Sequence, residues 1–187
     1  MTGGSAVASH AFWLASRSAG VVALVLLSAS VLLGLAMAAG VPMPNPMRRR
    51  LRFTHEHLAV TALAAVAAHG ALLLGDPWLH PGLTGILVPF SLPYRPLFTG
   101  LGILSGYLAA LLGLSFYVRR RIGVRRWRKL HRLTPAVYGL AVVHVLGAGT
   151  DARGPWLPAL VLSPAIVAAA LFVARVGRRP PAAEART

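Results

Sequence analysis

Four histidines at matched spacings are the residues of this sequence whose types and positions could carry chemistry. His55 and His69 lie 14 residues apart, and His131 and His144 lie 13 apart. Each pair falls in a strongly apolar segment, where an ionisable side chain is costly and usually functional. Each spacing corresponds to roughly 20 Å along a helix. Two such helices side by side would hold one pair of imidazoles near each face of a membrane.

One other apolar segment separates the two histidine-bearing segments, so we expect them to run parallel. His55 then pairs with His131 near one face, and His69 pairs with His144 near the other. Neutral imidazole suits haem iron, and no thiolate or carboxylate accompanies either pair. Zinc usually takes four protein ligands, whereas each pair supplies two. The pattern predicts two non-covalent b haems. His55 and His131 would bind the iron nearer the face that the basic residues assign to the cytoplasm (the inner iron), and His69 and His144 would bind the iron nearer the opposite face (the outer iron).

The 14-residue spacing agrees with the geometry of an ideal helix better than the 13-residue spacing does. Fourteen residues return His69 to within about 40° of the face that carries His55. Thirteen residues leave His144 about 140° away from His131 in an ideal helix. Pro135 follows closely after His131 and is expected to kink or rewind that helix.

His57 competes with His55 as a ligand, but it lies about 120° off the face that carries His69. We therefore prefer His55. Thr54 is expected to cap this helix, and Glu56 in its first turn suits the helix dipole. Glu56 could alternatively handle protons near the inner site. A single membrane histidine often makes an interhelical hydrogen bond instead, but four at paired depths are harder to explain that way.

The composition indicates a membrane protein. Of the 187 residues, 56% are hydrophobic and 12% are charged, with a mean hydropathy of +0.66. The absence of cysteine excludes disulfides, iron–sulfur clusters and covalent haem attachment. We predict an all-α integral membrane bundle of about five transmembrane helices over residues 1–176, with two stacked haems between helices two and four, and a disordered cytoplasmic tail over 177–187. The predicted spans are 12–39, 55–74, 97–118, 131–146 and 156–174.

The basic residues predict the orientation. Of 19 lysines and arginines, 16 lie on one side of these spans. They are Arg48, Arg49, Arg50, Arg52, Arg119, Arg120, Arg121, Arg125, Arg126, Arg128, Lys129, Arg132, Arg175, Arg178, Arg179 and Arg186. The positive-inside rule places this side in the cytoplasm and the N-terminus outside. Arg17 and Arg95 remain outside and are candidates for binding the outer haem's propionates, although Arg17 could also simply extend to the interface.

Three stretches resemble the ferric reductase-like transmembrane domain family. They are residues 55–73, 88–102 (VPFSLPYRPLFTGLG) and 127–151 (WRKLHRLTPAVYGLAVVHVLGAGTD). The family's pattern is two histidine pairs on parallel helices at spacings of 14 and 13, and both spacings occur here. Residues 17–20 (RSAG) are similar to the segment around the family's arginine in the helix before the first pair. The resemblance covers nearly the whole chain.

The resemblance implies haem binding and electron transfer. The superfamily includes ferric reductases, the membrane core of NADPH oxidases and the haem-bearing membrane subunit of a bacterial methionine sulfoxide reductase system. The first two carry six helices and a cytoplasmic flavin–nicotinamide domain, whereas 43 residues follow His144 here and no GxGxxG motif opens a helix after a strand. We therefore expect a separate flavoprotein or a quinol as electron donor, contact with membrane lipid, and no nucleic-acid partner.

These observations predict a di-haem b-type cytochrome of the cytoplasmic membrane that passes electrons to an outer acceptor such as ferric iron, dioxygen or a protein. It would be an electron-transfer component without a catalytic side chain, because two axial histidines leave an iron no open position. Two alternatives stay open. One is a non-catalytic haem-bearing membrane anchor or subunit of a partner reductase. The other is a small histidine-dependent metal or proton transporter, for which Glu56 is thin support.

Overall fold

Eight helices make up all the regular structure in the described part of the chain. The structure, a computed structural model, describes residues 3–177, with side chains from His10 onward. The helices are α1 (Gly3–Ala38), α2 (Asn45–Leu73), α3 (Gly82–Leu87), α4 (Pro96–Leu114), α5 (Arg119–Ile122), α6 (Val124–His131), α7 (Thr134–Ala148) and α8 (Trp156–Gly177). The predicted all-α class is confirmed. The predicted tail lies outside the described residues, except for Gly177.

Four helices are long and apolar enough to cross a membrane: α2, α4, α8 and the His10–Ala38 part of α1. The chain is therefore a multi-pass membrane protein. The predicted fourth span corresponds to α7, which has 15 residues, whereas crossing the hydrocarbon core takes about 20. The expected count of five spans is thus not established. Large apolar side chains such as Leu111 and Ile166 are exposed, as contact with lipid requires.

Helix α2 begins well before the start predicted for the second span. Pro44 is its N-cap, and Pro46 lies in the first turn, where proline is favoured because its missing N–H would have no helical partner. The arginine-rich segment 48–52 is already helical, and arginine and methionine are good helix formers. The predictions that Thr54 caps the helix and that Glu56 lies in its first turn are therefore wrong.

The chain breaks its helix between α6 and α7. His131 ends α6, and α7 begins at Thr134 with Pro135 in its first turn. The disruption predicted near Pro135 is present as a complete interruption at residues 132–133, and the prediction that His131 opens the fourth helix is wrong. The break removes the conflict of about 140°, because residues on two separate helices need not share one angular period.

The bundle consists of two antiparallel helix pairs and one covering helix. Helix α1 packs along α2, α4 packs along α7, and α8 packs against α1 and α7. A buried core of Val31, Leu35, Tyr138 and Ala168 joins α1, α7 and α8. Helices α2 and α7 share hardly any close backbone contact. Helices α2 and α7, which carry three of the four histidines, are therefore held by their neighbours and leave room between them.

Candidate functional site

The structure brings His55 and His131 together, and we call them the inner pair. Their ring centroids lie 6.1 Å apart, with ring planes at 78°. A metal ion about 2 Å from each of two imidazole nitrogens would hold the ring centres at a similar separation, because each centre lies behind its nitrogen. The separation of these two side chains is therefore compatible with one ion or one flat cofactor between them.

His69 and His144, which we call the outer pair, lie at the other end of α2 and α7. The two rings are close enough to interact electrostatically, and both residues are half-buried. Along the unbroken α2, the step from His55 to His69 is roughly 20 Å. The four histidines singled out in the sequence thus lie at two depths of the bundle, and the His55 and His131 rings are in contact at one of them.

A serine and a glycine of α1 hold the His69 ring. Its Nδ1 lies 2.8 Å from the carbonyl oxygen of Ser16 and 3.1 Å from the Ser16 hydroxyl. The same hydroxyl donates to the His69 carbonyl at 2.9 Å. A Cβ at Gly20 would lie 3.0 Å from Nδ1, so the ring takes the space that a larger residue would need.

The same arrangement recurs at His55. Its Nδ1 lies 2.8 Å from the carbonyl oxygen of Ser30 and 3.0 Å from the Ser30 hydroxyl, which donates to the His55 carbonyl at 3.3 Å. A Cβ at Gly34 would lie 3.1 Å from Cε1 of the ring. The two serine–glycine units therefore repeat along α1 with the same 14-residue period as the two histidines of α2.

Helix geometry explains why a glycine follows each serine by four residues. A helical side chain leans toward the N-terminus and covers the carbonyl one turn earlier. Glycine leaves that carbonyl open, and its second lone pair can accept from an imidazole. We call this arrangement a carbonyl–glycine unit. A third unit lies on α4, where Nδ1 of His144 is 2.9 Å from the carbonyl oxygen of Phe98 and a Cβ at Gly102 would overlap the ring.

These contacts fix which ring nitrogen is free. A backbone carbonyl only accepts hydrogen bonds, so Nδ1 of His55, His69 and His144 must carry the proton. In the neutral imidazole the lone pair is then on Nε2, at the far side of the ring from the backing helix. Three of the four histidines therefore present the nitrogen that binds metal ions.

His131 is held differently. Its Nδ1 is buried and has no hydrogen-bond partner among the described residues. The carbonyl of Leu112 lies near the ring but does not reach hydrogen-bond geometry with Nδ1. The ring instead stacks on Trp127, with centroids 5.0 Å apart and planes at 21°. Residue 116, where a glycine would complete a carbonyl–glycine unit with Leu112, is a phenylalanine beyond the end of α4.

Cations surround the inner pair. A cavity of about 210 Å³ opens beside His55 and His131, and Arg128, Arg132 and Arg175 lie in its wall. Arginine pairs well with carboxylates through several N–H donors. This end of the bundle can therefore hold a cofactor that carries negatively charged groups.

At the outer end, Arg17 forms an ion pair with Asp151, and its guanidinium lies 5.2 Å from the Trp13 ring centroid. Arg95 donates from Nη1 to the Gly147 carbonyl at 2.5 Å and thereby holds the C-terminal end of α7. Both candidate outer cations thus already have protein partners, and each keeps further N–H donors.

His57 and Glu56 lie away from both pairs. The His57 ring is exposed, packs at a tilt against the Phe53 ring with centroids 3.9 Å apart, and bonds the Phe53 carbonyl of its own helix at 2.8 Å. Glu56 accepts from the Tyr117 hydroxyl at 3.1 Å. That hydrogen bond is the main cause of a raised pKa at Tyr117. Glu56 therefore links α2 to the end of α4 and caps no helix.

The site residues fit a haem at each pair. Among the described residues, no three histidine, cysteine, aspartate or glutamate side chains come together as a metal cluster, so each pair offers two imidazoles. Two imidazoles suffice as axial ligands of a haem, whose porphyrin supplies the remaining nitrogens. The sparse contact between α2 and α7 is consistent with a flat group between them.

Residues 19–142 match the family described as ferric reductase like transmembrane component. The chain belongs to this family. The matched segment covers about two thirds of the chain and contains His55, His69 and His131, while His144 lies just beyond it. No curated protein and no solved structure matches the chain. Membership in the ferric reductase-like transmembrane family confirms the resemblance and indicates a membrane electron-transfer component.

Sequence reasoning missed the serines of this ferric reductase-like protein. Ser16 and Ser30 are buried and contact both the ring and the backbone of a histidine. A signal for them was present, because Ser-x-x-x-Gly occurs twice in α1 at the period of the α2 histidines. Trp127 stacks on His131, a contact that the sequence pattern did not predict.

Proposed function

We propose that the protein is a di-haem b-type cytochrome that moves electrons across the cytoplasmic membrane. His55 and His131 would hold the inner iron, and His69 and His144 the outer iron. Bound haem supplies one-electron redox chemistry at a potential that the surrounding protein sets. With two histidines to hold each iron, the chain's own residues would bind, orient and insulate the haems, and none would act as a catalytic acid, base or nucleophile.

The orientation of the imidazoles carries this proposal. A histidine that served only to join two helices would have no need to lie beside a second histidine from another helix, as His55 and His131 do. Here Nδ1 of His55, His69 and His144 is bonded to the backing helix, which leaves Nε2 free. At metal sites, a hydrogen bond of this kind commonly fixes the ring nitrogen of a ligating histidine that does not bind the metal.

The cations would bind the haem propionates. Arg128, Arg132 and Arg175 beside the inner pair are candidates for the inner haem. Arg17 and Arg95 remain our candidates for the outer haem, with Asp151 and Gly147 holding their side chains in place. A charged hydrogen bond of this kind is stronger than a neutral one.

The donor would act at the strongly basic end of the bundle. Helices α5 and α6 carry seven basic residues: Arg119, Arg120, Arg121, Arg125, Arg126, Arg128 and Lys129. By the positive-inside rule this end is cytoplasmic, and its field would attract an anionic flavoprotein. A membrane quinol is the other donor we propose. The acceptor would then be reduced at the opposite face.

Sealed proteoliposomes of known orientation test the proposal. The protein is loaded with haem, the haem is counted, and a membrane-impermeant acceptor is placed on the side of the outer pair. A flavoprotein with NADPH, or a quinol, supplied on the α5–α6 side should reduce the haems and then the acceptor. NADPH alone should not, because the sequence contains no nicotinamide motif.

Orientation serves as the internal control. Vesicles with the opposite orientation should transfer electrons from the flavoprotein only after they are made permeable. Rapid haem reduction by NADPH with no flavin or second protein present would overturn the proposed donor, and electron transfer independent of orientation would overturn the proposed direction.

A further inference from the structure

The connection between α2 and α4 contains no lysine, arginine, aspartate or glutamate from Pro77 to Tyr94. The two ends of this stretch meet, because the rings of Trp78 and Tyr94 lie 5.9 Å apart between centroids. The chain therefore leaves and returns at one place. Tryptophan and tyrosine are enriched at the headgroup level of membranes, where one part of the ring is in an apolar and the other in a wet environment. We call residues 81–92, which lie between these two rings and include α3, the outer loop segment.

The outer loop segment packs against two membrane helices at the level of the outer pair. Ile86 of α3 lies at Gly70 of α2, where an added Cβ would come within 3.3 Å of the isoleucine Cγ2. Gly70 directly follows His69 in the chain. Phe90 lies on α4, where a Cβ at Gly100 would overlap its ring. Both helices are long and apolar enough to span a membrane, so the segment is held beside them within the apolar part of the bundle.

Side chains satisfy the carbonyls at the C-terminal end of α3. The Tyr107 hydroxyl of α4 donates to the Leu87 carbonyl at 2.5 Å. The Ser91 hydroxyl donates within the segment and lies 2.9 Å from the Thr84 carbonyl oxygen and 2.8 Å from that of Val88. Lipid offers no hydrogen-bond partner, so a helix end within it needs partners from the protein. These contacts meet that requirement for three carbonyls.

The surface that the segment leaves uncovered is apolar. Leu83, Leu87 and Val88 are 65%, 52% and 49% exposed. This surface adjoins α4 at Tyr107, and Leu111, one turn further along α4, is 66% exposed. The segment therefore continues the apolar surface that the membrane-spanning helix α4 presents to lipid.

We infer that the outer loop segment is re-entrant, dipping into the leaflet at the outer end of the bundle, where lipid acyl chains cover Leu83, Leu87 and Val88. The segment thereby holds lipid, rather than water, against the part of the bundle that carries the outer pair. The inference goes beyond the proposed electron transfer and does not depend on it, because it rests on the contacts and charge of the segment itself.

Spin labels on single cysteines test this inference. The chain contains no cysteine, so Leu83→Cys and Leu87→Cys each place one label on the full protein in lipid vesicles. Oxygen, which partitions into hydrocarbon, and a water-soluble nickel complex are used in turn as relaxation probes. Leu111→Cys is the lipid control, and Arg153→Cys, at an exposed position between α7 and α8, is the water control. We expect the labels at positions 83 and 87 to lose accessibility to nickel and keep accessibility to oxygen, as the label at 111 does.

Two results would overturn the inference. Nickel accessibility at positions 83 and 87 equal to that at 153 would mean that the segment lies in water. Protection from both probes would mean that protein, such as a second copy of the chain, covers the surface in place of lipid. Neither result bears on haem content, so failure of this inference and failure of the proposed function are distinguishable.

The Tyr107 hydroxyl provides a finer test. Tyr107→Phe deletes only the donor to the Leu87 carbonyl, and a carbonyl without a partner is costly in hydrocarbon. We expect the label at position 87 to gain accessibility to nickel, because that end of α3 shifts toward the headgroups. Tyr117→Phe is the matched control, since the Tyr117 hydroxyl bonds Glu56 at the inner end, and the label should not respond to it. An equal gain in both variants, or none in Tyr107→Phe, would contradict the role given to Tyr107.

Discussion

The outer and inner ends of the bundle hold their histidine pairs in different ways. At the outer end, both rings are backed by a carbonyl–glycine unit, on α1 for His69 and on α4 for His144. At the inner end only His55 has such a unit, while His131 lies between Trp127 and a cavity lined by arginines. The outer end therefore backs both of its imidazoles with a carbonyl, whereas the inner end backs one with a carbonyl and the other with an aromatic ring.

The difference between the two ends follows from the helices that carry the histidines. Helix α2 is unbroken between its histidines, so α1 can serve both with one repeated unit at the same period. The other two histidines lie on α6 and α7, with a break between them. A break repositions the His131 ring relative to α4, and the regular backing that an unbroken helix receives is lost there.

The largest expected effect is loss of one haem. His144→Ala removes one of only two axial ligands of the outer iron, so haem content should fall from two per chain to one, with the inner haem retained. The measurement is haem extraction and quantitation together with the optical spectrum. His57→Ala is the control and should leave both haems, because the exposed His57 bonds its own helix. If His57→Ala removes the inner haem while His55→Ala does not, the assignment of the inner pair is wrong.

A substitution at Gly102 on α4 should weaken binding of the outer haem without affecting the inner haem. Gly102→Ala places a Cβ in the His144 ring, and we expect outer haem affinity to fall by about 10-fold to 100-fold with the inner haem unaffected. Gly106→Ala is the matched control, since its Cβ would meet only Val66, at 3.6 Å. Haem titration of both variants checks this. Equal loss in the two variants would mean that Gly102 serves helix packing alone.

The smallest expected effect is a shift of potential at the outer end. Arg17→Leu removes a cation and leaves the Asp151 carboxylate unpaired, and both changes disfavour the more electron-rich reduced haem. The outer midpoint potential should fall by about 60 mV, a tenfold change for one electron, in a redox titration. Arg153→Leu, on the same loop as Asp151, should change it little. An unchanged potential in Arg17→Leu would place Arg17 away from the haem.

Much of the architecture could be predicted from the sequence. Hydropathy located the long helices, and the histidine spacings placed four side chains at two depths, at one of which the His55 and His131 rings come together. The boundaries of the helices were harder to predict. The start of α2 was placed too late, because an arginine-rich segment resembles a loop in hydropathy although arginine favours helix. The Thr54 and Glu56 assignments failed for that reason.

The contacts behind the histidines could be predicted only in part. Glycines allow close approach wherever they occur, but which carbonyl a ring will reach depends on how two helices pack, and single-sequence patterns do not report that. The ring orientation at His131 depends on the break at residues 132–133 and on Trp127, seen only once the helices are assembled. The ion pair between Arg17 and Asp151 joins residues far apart in the chain and was likewise not predictable.

The most direct test of the central claim is a haem count on the purified chain with a reduced-minus-oxidised spectrum. We expect two low-spin b haems per chain, extractable by acid acetone because no cysteine is present to hold them covalently. A folded, stable preparation that binds no haem when reconstituted with an excess of it would contradict the account.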